Sequence, residues 1–238
     1  MRFLLAGSLP WLLLVGPAFA QDGLGVDGLA GGLGQNAVLL LVALTAISLA
    51  PGIAITITAF PFIVTVLSIL RQSIGLQQSP PNMLIISLSI FLTWFVMDPV
   101  FQEAWQVAAV PLQAGRIGIA EALEAGIVPF QRFMLDRTDP ATLEALAEIA
   151  PGAGIAPDQR LSVLIPSFML SEIQRAFEIG FLIALPFLII DLVVSAVLMS
   201  MGMMMVPPVV VSLPFKLAFF VAVDGWGMIA GALVRSYQ

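Results

Sequence analysis

Cysteine and histidine are both absent from this 238-residue sequence. Their absence excludes disulfides, Ser-His-Asp and Cys-His catalysis, and thiolate or imidazole metal sites. Charge is scarce too, at 10% of residues, and nine Lys+Arg against fifteen Asp+Glu leave a net charge of −6. Without a basic patch there is no nucleic-acid footprint. No Walker motif occurs, and no GxGxxG before a strand, so nucleotide binding is not expected. No cofactor is implied.

What is present is apolar. The AVILMFWYC set makes up 60% of the chain and the mean hydropathy is +1.05. A soluble domain carries about 45–50% apolar and about 25% charged residues. These proportions describe an integral membrane protein in contact with lipid.

The N-terminus reads as an address. Arg2 precedes an apolar run from Phe3 to Val15, and Ala18-Phe19-Ala20 matches the small-x-small cleavage pattern, so residues 1–20 are expected to be a cleaved signal peptide. An uncleaved first helix is the alternative, but Pro10, Gly16 and Pro17 interrupt a run already too short for about 30 Å of hydrocarbon. Residues 21–35 form a Gly-rich lead-in outside the cytoplasm.

Residues 36–97 read as N-terminal membrane helices. From Asn36 to Leu70 one helix would be about 52 Å long, and Pro51-Gly52 and Pro61 divide it, which predicts a broken or hairpin-like helix. A second helix is apolar from Met83 to Met97, and Asp98-Pro99 is expected to close it. Residues 98–175 hold ten acids and five bases and read as an acidic, helical, extracytoplasmic region. Residues 176–238 hold two further apolar segments, Ile179–Met199 and Val209–Val234, joined by a Met-rich link. The expected fold is all-α, with about four membrane-embedded segments. The short links, carrying Arg71 and no acid, are placed inside by the positive-inside rule.

Three ionisable residues, Asp191, Lys216 and Asp224, lie within the C-terminal apolar segments. At membrane depth each needs a partner or a watery cavity. Lys216 and Asp224 are about 12 Å apart on one helix, too far to pair directly. The candidates for Lys216 are therefore Glu172, Glu178 and Asp191, with snorkelling to the interface as the alternative. Glu172, Arg175 and Glu178 share one helix face, which is either solvated or a subunit contact. Asp191 and Asp224 lack the flanking pattern of an intramembrane aspartyl protease, and no enzyme is expected. Five of the eleven methionines fall between Met199 and Met205. Such a turn suits either a deformable contact or plain core packing.

Specific strings narrow the choice. PFIVTVLSILRQSIGLQQSPPNMLIISLSIFLTWFVMDPV from Pro61, PFQRFML from Pro129, and the stretch from Leu164 to Tyr237 containing SEIQRAFEIG and LMSMGMMMVPP resemble the FliP family of type III export-gate membrane proteins. The resemblance implies an inner-membrane subunit of the flagellar basal body. Several copies would assemble with FliQ-like and FliR-like membrane proteins into a helical gate standing largely above the membrane plane. Unfolded flagellar proteins would pass through it, driven by the proton motive force and a separate ATPase; relatives serve injectisomes. In such a ring the loops bearing Met201, Met203, Met204 and Met205 would meet as a pore gasket. Lys216 is expected to pair with Glu172 or Glu178 of an adjacent copy. A stand-alone ion or small-molecule transporter is the competing reading, but no internal repeat supports it.

Overall fold

Helix α1, Phe60–Ile74, is the centre of the packing. Pro61 occupies its first turn, where a missing N–H costs nothing. Gly75 ends it in the left-handed region (φ 90°), donating its N–H to the Gln72 carbonyl. Phe62, Ile63, Val66, Leu67, Leu70 and Ile74 follow i, i+3, i+4 spacing and are all buried. At about 22 Å, α1 alone is too short to cross hydrocarbon.

These elements come from a computed structural model that describes residues 52–75, 80–151, 156 and 160–237, together with 41, 44, 45, 48 and 49. Pro51–Gln238 forms one compact unit. The expected signal peptide, the Gly-rich lead-in and most of the first apolar stretch lie outside the described residues. Among the described residues there is no strand, and the fold is all-α as expected.

Helix α2, Asn82–Ala104, runs on through a π-helical turn at Trp105–Ala109 into α3, Val110–Gln113. Together they make a rod of 32 residues. The expected stop at Asp98-Pro99 is therefore corrected. A proline removes one N–H bond, but Met97 is fully buried and Val100 and Phe101 pack on the core, holding the turns on either side. The buried face of α2 is Ile85, Ser89, Thr93 and Met97. Ser89 satisfies its hydroxyl on the Ile85 carbonyl (2.7 Å), so a small polar residue can sit at this helix contact.

Two shorter helices follow, α4 at Ile119–Arg137 and α5 at Pro140–Ile149. Asp139 caps α5: its carboxylate accepts the Thr142 N–H and hydroxyl, both at 2.9 Å. Its own N–H donates to Ser171 Oγ (2.9 Å), fixing α5 to the next helix.

Helix α6, Leu161–Ser200, has 40 residues and is about 60 Å long. The segment expected to begin at Ile179 thus starts eighteen residues earlier in the chain. Glu172 does not break the helix because it is buried and paired, as described below. Helices α7, Pro208–Ala222, and α8, Gly225–Arg235, were expected as one segment. They meet at a 62° bend, where Asp224 adopts φ 48°. Two rods, Asn82–Gln113 and Leu161–Ser200, are long and apolar enough to cross a membrane, and the bent pair makes a third candidate. Of the four segments expected, the first shows among the described residues helical positions 52–56, a turn and bend at 57–59, and then α1.

Candidate functional site: two charge centres and a methionine loop

The buried face of α7 carries Ser212, Lys216 and Phe220, spaced by four. This spacing turns Lys216 inward. Its Nζ donates to Asp191 Oδ2 (2.6 Å) and to the Ser73 carbonyl (3.0 Å). Ser212 Oγ donates to the other Asp191 oxygen (2.6 Å). Ser73 lies in the last turn of α1, where carbonyls have no helical partner and the helix dipole is negative. The ammonium therefore neutralises a carboxylate and a helix end together.

This corrects the expected partner. Lys216 finds its carboxylate within its own chain, and no second copy is needed to neutralise it. Asp191 faces α7 across the α6–α7 hairpin, whereas Glu172 lies nineteen residues earlier, about 28 Å further along α6. Asp224 is not inside a continuous apolar helix. It is exposed at the bend, beside the N-terminus of α8, where a negative charge is favoured.

Glu172 belongs to a second centre. Fully buried, it accepts from Arg137 Nε at 3.0 Å through Oε1 and from the Tyr237 hydroxyl through Oε2. Arg175 lies 3.8 Å away, so one pair of the expected charged stripe forms. Glu178 is exposed and accepts from Gln174 Nε2 (3.3 Å). Arg137 also donates from Nη1 to the Ser236 carbonyl (2.8 Å). Its guanidinium stands 4.0 Å from the Tyr237 ring centroid, in cation–π range. That ring stacks on Phe133 and meets Phe62 edge-on. Burial pushes the Tyr237 phenol well above its ordinary value, and the Glu172 carboxylate adds to the shift. The hydroxyl therefore stays protonated and donates. Sequence reasoning missed both Arg137 and Tyr237. The one available signal was that Tyr237 is the only tyrosine in the chain.

The Met-rich link closes α6. Gly202 takes φ 75°, its N–H donates to the Met199 carbonyl (3.0 Å), and the Met203 N–H donates to that of Leu198 (2.9 Å). This is the left-handed C-terminal arrangement glycine permits. Met201, Met203, Met204 and Met205 all project outward, Met204 at 82% exposure and Met205 at 96%. Plain core packing does not describe them within this chain.

The family model described as the FliP family matches residues 43–233. A flagellar biosynthetic protein FliP of Caulobacter vibrioides is 50% identical over 225 residues, covering 93% of this chain and 84% of the relative. The protein of that name from Rhizobium meliloti is 46% identical, with 82% and 81% covered. The one from Bacillus subtilis is 45% identical, with 85% and 93% covered.

Proposed function

The chain belongs to the FliP family of flagellar biosynthetic proteins, and on that footing we propose that it is a pore-forming subunit of the flagellar type III export gate. It passes unfolded flagellar proteins across the inner membrane. It acts as a structural conduit and not as an enzyme. Several copies surround one axis, together with FliQ-like and FliR-like membrane proteins. Residues 1–20 direct insertion and are removed, and residues 98–175 face outward. The flagellar names of the relatives favour this role over an injectisome.

One observation carries the reading. Four exposed thioethers, Met201, Met203, Met204 and Met205, sit on a turn between two apolar helices. Arranged around an axis, such turns form a ring. A passage for unfolded chains must close to ions and still yield to side chains of any size. Thioethers have three rotatable bonds and repack readily. Replacing Met203, Met204 and Met205 with Ala should leave the assembly intact and make it leak. Ion conductance of the reconstituted complex in planar bilayers tests this; equal, negligible conductance in both forms would refute the gasket.

A further inference from the structure

We propose that the loop from Met201 to Met205 is a site of reversible methionine oxidation, and that its sulfoxides unseal the gate to ions. The inference rests on the gasket reading and adds its chemical vulnerability. With no cysteine in the chain, the thioethers are its only sulfur, so no thiol of its own competes for oxidant. Their exposure is graded, with Met83 at 73% outside the loop. Met204 and Met205 are 82% and 96% exposed, whereas Met97 and Met134 are completely buried in the core. Susceptibility follows access, so one chain carries both the reactive site and its internal controls.

The step balances with hydrogen peroxide as oxidant. The thioether sulfur attacks one peroxide oxygen, the O–O bond breaks and an S–O bond forms. The departing hydroxide takes the proton from the newly bound oxygen, leaving sulfoxide and water. Sulfur loses two electrons and peroxide gains them. The product is a polar side chain with a strong acceptor oxygen, where a flexible apolar one stood. Repeated around a ring, the change hydrates the constriction. Methionine sulfoxide reductases return the thioether, so the modification is reversible.

The reconstituted gate complex provides the test. It is treated with hydrogen peroxide, digested and mapped by mass spectrometry, while its conductance is followed in bilayers. Sulfoxide at Met204 and Met205 is expected to form about tenfold faster, or more, than at Met97 and Met134. Conductance should rise with it and fall again after methionine sulfoxide reductase. A variant with Met201→Leu, Met203→Leu, Met204→Leu and Met205→Leu, compared with its own conductance before peroxide, should show no rise. Oxidation of Met204 and Met205 no faster than of the buried pair would overturn the proposal. So would sulfoxide formation without a conductance change. In that case leakage of the untreated alanine variant decides separately whether the gasket itself stands.

Discussion

At the residue scale the chain places two charges where water is excluded and gives each a partner. Lys216 is held by Asp191 and the Ser73 carbonyl. Removing one member of a buried pair costs about 3–5 kcal/mol, because the other is left uncompensated. Lys216→Ala is expected to lower stability by less than that, because the Asp191 side chain is 28% exposed and keeps its bond from Ser212. A Lys216→Met, Asp191→Leu double substitution should recover most of the loss, since an apolar pair of similar volume needs no compensation. Thermal unfolding of the detergent-purified protein separates the two, and a double variant no more stable than Lys216→Ala would rule out the pair as the cause. Tyr237→Phe removes one hydroxyl and keeps the ring against Arg137. It leaves Glu172 Oε2 unpaired, at a cost of about 1–3 kcal/mol, read in the same unfolding assay. How far this was legible depended on chemistry. Lys216 stood out because an ammonium in an apolar run demands a carboxylate, but spacing alone left three candidates. Arg137 gave no signal, because it lies in a charged region where an arginine is ordinary. Its burial comes from the packing of α4 on α6.

At the scale of the element, prolines mark starts better than stops. Pro61, Pro140 and Pro208 each sit in a first turn, where their fixed φ suits the helix. Pro99, Pro129, Pro166, Pro186 and Pro214 lie inside helices, because packing on both sides outweighs one lost bond. Sequence boundaries drawn at Pro99 were therefore too short. The bend at Asp224 was hidden for the opposite reason, as the apolar pattern from Val209 to Val234 carries two charges, Lys216 and Asp224, and the pattern does not tell which of them marks a break. The cap of α5 carries a pH dependence. Its bonds to Thr142 hold the Asp139 carboxyl below the ordinary value of 3.8. A lowered folded value means the stabilisation is complete above 3.8 and is lost as pH falls through the folded value. Hydrogen exchange at the Thr142 amide should therefore lose protection only in that acidic window. Asp139→Asn, which still caps but does not titrate there, should remove the dependence, and a wild-type amide equally protected throughout would contradict the cap.

For the whole molecule, hydrophobicity alone does not say which apolar helices cross lipid. Residue composition cannot distinguish an apolar helix that crosses lipid from one that packs on its neighbours. Helix α1 is buried by its own chain on the face that pattern reading would give to a membrane. At about 60 Å, α6 is twice the thickness of hydrocarbon, so a copy of it lying across lipid extends well beyond it. The proposed orientation can be checked directly, because the native sequence has no cysteine to remove. Glu148→Cys, on exposed α5, should react with a membrane-impermeant maleimide in intact spheroplasts. Gln72→Cys, near the end of α1, should react only after permeabilisation. The reverse pattern would invert the topology.

The clasp around Glu172 also imposes an order in time. Arg137 reaches Glu172 after 35 residues, but its bond to the Ser236 carbonyl spans 99, and the Tyr237 bond to Glu172 spans 65. At roughly 5–20 residues per second, Arg137 waits roughly 5–20 s on the ribosome before that clasp can shut. Until then one oxygen of Glu172 lacks its donor and the aromatic cover over Arg137 is missing. A translation product stalled short of residue 236 can insert its apolar helices and still have an unfinished head. Membrane proteases then have a physical difference by which to tell an incomplete copy from a finished one.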